Sequence, residues 1–177
     1  NLITYRDQIG KRPPLSSMEL IWTCHQGDHL HISGYVHFPT EERHWKTLEL
    51  MGERNVITIK GLEGGTDLSI SRSSTIGQYR NQSGTRTVCH PKNYECYGKD
   101  IEWNSIEEWK GFALQALNGK GPLTKALEWN AGIYFFYAGL SSDIKEGINK
   151  AKEVINSGFA LKQLEKLIHW RDENIDS

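Results

Sequence analysis

The sequence predicts an α/β fold: a mixed sheet with a parallel βαβ core and an antiparallel edge hairpin, covered by C-terminal helices. Two observations lead to this prediction. Between residues 30 and 90 the chain is rich in β-branched side chains in short alternating segments, whereas from Asn104 onward the hydrophobic pattern repeats about every 3.6 residues. With 177 residues, 37% of them hydrophobic, the chain is long enough to bury a core, so we expect a single domain over residues 1–177.

The βαβ unit is predicted from the first half of this alternating region. Residues 30–37 mix β-branched and aromatic side chains and are typical of a strand. We expect Thr40 to cap a helix that runs to about Met51 and closes at Gly52. The residues NVITI that follow at 55–59 indicate a second strand. Since a helix joins the two strands within about thirty residues, they are expected to lie parallel.

An antiparallel hairpin is predicted next. The segments SISRSSTIGQYR and TRTVCH are separated by a polar turn, which is typical of two strands at the edge of a sheet. Residues 91–103 look like irregular linking structure. A capping box that begins at Asn104 or Ser105 then starts a helix, which we expect to end at Gly119.

Three more helices are predicted after the first. Residues 123–138 are apolar nearly all round, so we expect that helix to be buried against the sheet. Amphipathic helices follow over 142–157 and 159–170. The inward-facing positions of the three amphipathic helices are expected to be Ile106, Trp109, Phe112, Ala113, Ala116, Leu117, Ile144, Ile148, Ala151, Ile155, Leu161, Leu164, Leu167 and Ile168.

Composition narrows the classes of function. The 21 basic and 22 acidic residues give a net charge of -1, so no overall positive field favours nucleic acid or anionic lipid. We find no apolar run of about 18 residues and no signal-peptide order, and we therefore expect a cytoplasmic protein without membrane contact. The cysteines Cys24, Cys89 and Cys96 lack CxxC spacing, so we interpret all three as free thiols.

One cluster of metal-ligand residue types has two interpretations. Cys24, His25, Asp28, His29 and His31 include thiolate, imidazole and carboxylate groups, all of which bind zinc. The second Cys/His pair expected of a zinc site is absent from the sequence nearby. Half-exposed histidines at the start of a strand are therefore the favoured interpretation.

The tryptophans also have two interpretations. Six are present, and exposed aromatic rings can stack on the bases of single-stranded nucleic acid. Their positions on predicted helix faces instead favour packing into the core. The six residues are Trp22, Trp45, Trp103, Trp109, Trp129 and Trp170.

The last third of the chain carries a resemblance to a known family. The stretch WNAGIYFFYAGLSSDIKEGINKAKEVINSGFALKQLEKLI resembles the closing helices of the anthranilate phosphoribosyltransferase family. TYRDQIGKR is similar to that family's arginine-bearing helix, and NVITIKGLEGGTDLSIS to its strand followed by an acidic metal loop. The resemblance covers essentially the whole chain but only the C-terminal half of a family member. The matching closing positions are Asn130, Ala131, Gly139, Glu146, Gly147, Ala151, Ser157, Gly158, Ala160 and Leu164.

The resemblance implies a fold and a set of site residues. The fold would be the C-terminal α/β part of the nucleoside phosphorylase/phosphoribosyltransferase-like fold. Arg6 matches the arginine that contacts the aromatic acid, and its alternative is a surface arginine at a helix end. The loop after NVITI matches the family's Mg²⁺ loop, where adjacent aspartate and glutamate bind the metal. Here Asp67 remains, with Glu63 as a possible second ligand, so Mg²⁺ binding is expected to be weakened.

The function implied by the resemblance is that of a transferase. A complete member moves ribosyl phosphate from phosphoribosyl diphosphate to an aromatic amine in tryptophan biosynthesis, and dimerises through its N-terminal part. The family's glycine-rich diphosphate loop belongs to the other half, so we expect this chain alone to be inactive. Because RPPLSSMELIW departs from the family pattern, a divergent paralogue is indicated. The alternative function is therefore a catalytically inactive module that binds a ligand or nucleic acid.

Overall fold

The computed structural model describes residues 4, 8, 18–23, 25–80 and 82–175. These residues form two compact units, and each is treated by itself below. Unit 1 comprises the described residues up to Asp67 together with Ser74–Val88, and unit 2 comprises Leu68–Ser73 and the chain from Cys89 onward. The segment TYRDQIGKR lies outside the described residues except for Thr4 and Gln8.

Unit 1 contains a four-stranded mixed sheet in the order β1-β2-β3-β4. β1 and β2 are parallel, with His31 opposite Val56, whereas β2 and β3 are antiparallel, with Ile59 opposite Ile76. The predicted mixed sheet with its parallel βαβ core is thereby confirmed. The elements are β1 (His31–Gly34), α1 (Phe38–Leu50), β2 (Val56–Ile59), β3 (Ser74–Arg80) and β4 (Ser83–Cys89), preceded by a 3-10 turn at Glu19–Ile21.

Helix α1 begins earlier than its sequence predicts. Its N-cap is His37, in an extended conformation, and no side chain caps the first turn. The prediction that Thr40 caps this helix is wrong because Pro39 already lies in the first turn, where its fixed φ suits a helix and its missing N–H costs nothing. The other end is as predicted, since Gly52 follows the helix with a φ of 84°.

A buried polar network joins α1 to the sheet. Glu41 is fully buried, and both of its carboxylate oxygens are occupied. Thr58 Oγ1 donates to Oε1 at 2.6 Å, and Arg86 Nε donates to Oε2 at 2.6 Å. Trp45 Nε1 in turn donates to Thr58 Oγ1 at 3.1 Å. Since a buried carboxylate is tolerated only when paired and hydrogen-bonded, this network fixes α1 on β2 and β4.

Two hairpin glycines leave room for this network. A Cβ atom on Gly77 would overlap Glu41 Oε1, and one on Gly84 would overlap the indole ring of Trp45. The same ring stacks on Tyr79, with centroids 5.5 Å apart.

Trp45 is therefore a core residue, and in unit 2 so is Trp129. The packing interpretation is wrong for the other four tryptophans, Trp22, Trp103, Trp109 and Trp170, which are 49% to 69% exposed.

Unit 2 is helical. Helices α3 and α4 pack closely, because a Cβ atom on Gly132 would lie 2.7 Å from the backbone of Ile148 and one on Gly147 would overlap the carbonyl of Gly132. The predicted inward stripe of α4 is confirmed, with Ile144, Ile148, Ala151 and Ile155 all buried. The helices are α2 (Ile106–Leu117), α3 (Thr124–Tyr137), α4 (Ile144–Asn156) and α5 (Phe159–Asn174).

The other helices are less buried than predicted. Ser105 caps α2 as expected, accepting from Glu108 N at 3.1 Å, but Ile106 and Trp109 are half exposed and only Ala116 is buried. Helix α5 has no fully buried residue: of its predicted inward positions, Leu161 and Leu164 are partly buried, whereas Leu167 and Ile168 are exposed and the prediction is wrong for them. Helix α3 is not buried all round either; it buries one face, at Trp129, Gly132, Ile133 and Tyr137.

The short segment Leu68–Ser73 is held inside unit 2 by side chains from elsewhere in that unit. Asn130 on α3 accepts from Leu68 N at 2.8 Å and donates to Leu68 O at 3.0 Å. Asp100 accepts from Ser69 Oγ at 2.8 Å and from Ser71 Oγ at 2.6 Å. Partial burial acts to raise the pKa of Asp100, but the hydrogen bonds from Ser71 and Ser69 outweigh it and lower that pKa.

No helix among the described residues is both long enough and apolar enough to cross a membrane.

Candidate functional site

The residues Gly61–Asp67, here called the glycine loop, follow the carboxyl end of β2 in unit 1. Gly65 N donates to Leu62 O at 2.9 Å, which closes a tight turn. Glu63 inside this turn has a φ of 52° and Gly64 a φ of 84°. A glutamate in the left-handed region costs conformational energy that a glycine would avoid.

Close backbone packing determines the path of the glycine loop. Gly34, at the end of β1, lies against the loop so tightly that a Cβ atom there would overlap the carbonyl of Gly64 and lie 2.7 Å from that of Gly65. Within the loop, a Cβ atom on Gly61 would overlap the carbonyl of Gly65. Any side chain at Gly34 or Gly61 would therefore displace the loop.

The predicted metal ligands lie on this loop, while the predicted substrate residue Arg6 lies outside the described residues. Glu63 and Asp67 are both exposed to solvent. Their carboxylate oxygens are the hard donors that Mg²⁺ prefers. Across the described parts of the chain no group of three or more His, Cys, Asp or Glu residues is arranged to hold a metal. Two exposed carboxylates are fewer oxygen ligands than a Mg²⁺ ion takes, so a metal here would need further ligands from water or a phosphate group.

A groove of about 590 Å³ borders the glycine loop in unit 1. Residues 29–34 line one side, and Gly64, Gly65 and Thr66 of the loop contribute to its wall. His29 lies in this wall with both ring nitrogens engaged: Nδ1 is 2.6 Å from Gly27 O and Nε2 is 2.7 Å from Glu53 Oε2. The hydrogen bond to the Gly27 carbonyl and the one to Glu53 raise the pKa of His29. The raised pKa widens the pH range over which this edge of the groove is cationic.

The other histidines of the cluster have different environments. His31 and His44 are each 6% exposed, and burial lowers the pKa of both. His44 Nδ1 lies 3.0 Å from Ser33 Oγ. His29 is committed to Gly27 and Glu53, and Cys24 lies outside the described residues. The interpretation as half-exposed histidines at the start of a strand is therefore correct for His29 but not for the buried His31.

The buried histidines predict a pH-dependent stability. The pKa of His44 in the fold lies below its usual 6.5, because of burial and then of neighbouring His31, with Glu41 acting in the opposite direction. The unfolded chain thus binds more protons near pH 6.5, and stability is lost as pH falls from about 7 towards 5. His29, whose pKa is raised, contributes the opposite trend.

We expect His44→Gln to reduce the loss of stability at low pH. The measurement is the slope of the unfolding free energy against pH between about 5 and 7, which should become smaller. The control is His169→Gln on α5, which makes the same substitution at a solvent-exposed histidine outside unit 1. An equally steep slope in His44→Gln would show that this buried imidazole does not titrate on unfolding.

Sequence reasoning missed two features beside the site. Glu53 is far from His29 along the chain, and Lys60, whose Nζ lies 4.7 Å from the centre of the Phe38 ring, directly precedes the glycine loop. The His29–Glu53 pair has no sequence signature, since the spacing of the two residues matches neither helix nor strand periodicity. A lysine directly before a glycine-rich loop, in contrast, is a recognisable pattern.

Comparison with known proteins gives one consistent result. The chain is 31% identical, over 133 residues, to the anthranilate phosphoribosyltransferase of Desulfatibacillum aliphaticivorans, covering 73% of this chain and 39% of that protein. The fold of this chain is similar to that of the anthranilate phosphoribosyltransferase of Thermus thermophilus. The TM-score is 0.61 and the identity 26%, over 75% of this chain and 40% of the Thermus chain. No protein-family model matches the chain.

A further solved structure shares the fold. The anthranilate phosphoribosyltransferase of Saccharomyces cerevisiae in complex with PRPP and Mg superposes with a TM-score of 0.62 at 20% identity, over 76% of this chain and 40% of the yeast chain. The chain therefore spans about 40% of the length of these solved structures, and 39% of the length of the Desulfatibacillum aliphaticivorans protein.

Proposed function

We propose, from the premise that this chain is a partial-length, divergent relative of the anthranilate phosphoribosyltransferase family, that it supplies the metal-binding loop of a phosphoribosyltransferase. In the complete protein the reaction would transfer ribosyl phosphate from PRPP to an aromatic amine. The observation that carries the proposal is the glycine loop, which places two exposed carboxylates, Glu63 and Asp67, directly after a parallel strand. Ligands of open α/β sheets bind beyond the carboxyl ends of such strands.

The residues of this chain would act mainly by position and charge. Glu63 and Asp67 would hold Mg²⁺ that is shared with the diphosphate, while Gly34 and Gly61 keep the loop in place. Mg²⁺, when bound, would neutralise charge on the departing diphosphate. Arg6 would orient the acceptor carboxylate through its guanidinium fork. A dimer of the complete protein and its role in tryptophan biosynthesis belong to the same proposal.

The proposal predicts a specific mutational pattern. We expect the protein at its natural length to bind PRPP in the presence of Mg²⁺ and not in EDTA, and we expect Glu63→Gln and Asp67→Asn each to weaken this binding about tenfold, because each removes one negatively charged oxygen ligand. Isothermal titration calorimetry with PRPP measures the dissociation constant of each variant. Glu95→Gln is a matched control, since Glu95 is also exposed and has a φ of 61° but lies outside the loop.

The outcomes separate the two candidate functions. PRPP binding that is independent of Mg²⁺, or that both loop variants leave unchanged, would contradict the metal-loop assignment. Loss of anthranilate fluorescence on incubation with PRPP and Mg²⁺ would demonstrate transfer by the complete protein. If PRPP does not bind but single-stranded nucleic acid does, with an affinity that falls steeply with salt, the non-catalytic module is the correct assignment.

A further inference from the structure

The glycine loop is attached differently at its two ends. Its first residue, Gly61, follows β2, where Lys60 N donates to Thr75 O at 2.9 Å. Its last residue, Asp67, is joined to Leu68, which is 2% exposed and begins the segment that belongs to unit 2. The exposed side chain of Asp67 is therefore next to a buried residue along the chain. The contacts that hold Leu68 consequently limit how freely the backbone of Asp67 can move.

One amide side chain holds Leu68 by both of its backbone groups. Asn130 Oδ1 accepts from Leu68 N at 2.8 Å, and Asn130 Nδ2 donates to Leu68 O at 3.0 Å. The same Nδ2 donates to Ala126 O, one turn earlier in α3, at 2.9 Å, which orients the amide. Because a peptide group is planar, the hydrogen bond at Leu68 N also fixes the direction of the Asp67 carbonyl. Within unit 1, Gly61 lies close to this carbonyl, since a Cβ atom on Gly61 would be 3.1 Å from Asp67 O.

Asp100 holds the residues that follow Leu68. Its carboxylate accepts from Ser69 Oγ at 2.8 Å, from Ser71 Oγ at 2.6 Å and from Ile70 N at 3.3 Å. Ile70 is 4% exposed, and its carbonyl accepts from Gly98 N at 3.0 Å. Hydrogen bonds to a charged acceptor are stronger than those between neutral groups. The segment is thus fixed within unit 2 by the Asp100 carboxylate as well as by the amide on α3.

These contacts matter for ligand binding because a side chain on a flexible backbone loses conformational freedom when it binds, and this loss lowers the affinity. Glu63 lies inside the exposed turn of the glycine loop, whereas Asp67 directly precedes the fixed Leu68. We propose that Asn130 and Asp100 are positioning residues for Asp67 and make it the better preorganised of the two candidate metal ligands. This inference rests on the proposed metal-binding function of the loop.

Asn130→Leu tests the inference, since leucine is similar in size but makes none of these hydrogen bonds. In the protein at its natural length we expect it to weaken Mg²⁺-dependent PRPP binding about threefold, measured by isothermal titration calorimetry. Combined with Asp67→Asn it should cause no further weakening, because the ligand through which Asn130 acts has already lost its charge. A merely structural effect would weaken binding equally in both backgrounds. The matched control is Asn118→Leu, which should leave the affinity unchanged: this amide also donates to a helix carbonyl, that of Leu114 at 3.0 Å, but at the end of α2.

Two substitutions at Asp100 give an independent test, because this residue is exposed and can be replaced without disturbing buried packing. Asp100→Asn keeps an oxygen that accepts hydrogen bonds and should retain the affinity for PRPP. Asp100→Leu removes both oxygens and should weaken PRPP binding about threefold, again only while Asp67 is present. Hydrogen exchange reports on the amide anchor directly. The Leu68 N–H should exchange about tenfold faster in Asn130→Leu, which removes its acceptor, and at an unchanged rate in Asp100→Asn.

The outcomes distinguish this inference from the proposed function. If Asp67→Asn does not weaken Mg²⁺-dependent PRPP binding, the glycine loop is not the metal site and both proposals fail. If Asp67→Asn weakens binding but Asn130→Leu and Asp100→Leu do not, or weaken it equally in both backgrounds, only the positioning role is overturned. Faster exchange at Leu68 with an unchanged affinity for PRPP would overturn it as well, since the amide would then fix the chain without affecting the metal ligand.

Discussion

Replacing Arg86 by methionine is expected to lower the free energy of unfolding by about 3 kcal/mol, because it leaves a fully buried carboxylate without its cation. Glu41 is 0% exposed and receives the Arg86 Nε hydrogen bond at 2.6 Å. The guanidinium also lies 4.8 Å from the centres of the Phe38 and Trp45 rings, so the substitution removes cation–π contacts as well. Urea unfolding, with exchange of the β2 amides to report on unit 1, measures the loss.

Two further variants separate charge from packing. Arg54→Met replaces an exposed arginine and should change the stability by no more than about 0.5 kcal/mol. Adding Glu41→Gln to Arg86→Met removes the uncompensated charge and keeps the oxygen that accepts from Thr58, so it should recover part of the loss. If the double variant is as unstable as the sum of the two single variants, the pair does not interact as its geometry indicates.

Replacing Gly132 by alanine is expected to destabilise unit 2 by about 2 kcal/mol, although alanine is the better helix former. The added Cβ atom would lie 2.7 Å from Ile148 N and Cα, and backbone atoms of a packed helix cannot move away cheaply. Helices α3 and α4 would have to separate. Exchange of the buried α4 amides during urea unfolding measures the effect.

A second helical glycine gives the matched control. A Cβ atom on Gly111 in α2 would meet nothing within 4 Å, so Gly111→Ala should stabilise the chain by about 0.5 to 1 kcal/mol through helix propensity alone. Replacing glycine by alanine is thus expected to lower the stability in α3 and to raise it in α2. A stabilising Gly132→Ala would mean that α3 and α4 are not in close contact in solution.

The sequence was most informative where local patterns and tertiary packing agree. The βαβ unit and the hairpin were predicted from short segments rich in β-branched residues that a helix or a polar turn separates, and the buried stripe of α4 from its period of about 3.6 residues. Periodicity was misleading for α2 and α5, because an amphipathic pattern shows that a face is apolar but not what covers it. For α1, the proline in the first turn outweighed the threonine that follows it.

The candidate site was predictable only in part. Glu63 and Asp67 were identified through the resemblance of the loop after the second strand to the family's Mg²⁺ loop, and the structure places both on the exposed glycine loop; their role as metal ligands stays a prediction. Local sequence does not reveal that Glu63 has left-handed backbone or that Gly34 lies against the loop, since both depend on contacts between separate segments. The Glu41–Arg86 pair was missed for the same reason: its partners are far apart along the chain and meet only in the folded sheet.

The path of the chain between the units limits where the polypeptide can be cut for expression. A fragment beginning at Cys89 would carry all four long helices of unit 2 but not Leu68–Ser73. It would leave the Asn130 amide and the Asp100 carboxylate without the backbone and serine partners that they hold in the intact chain. A shorter fragment for expression should therefore start before Leu68, or residues 68–73 should be joined to it through a linker.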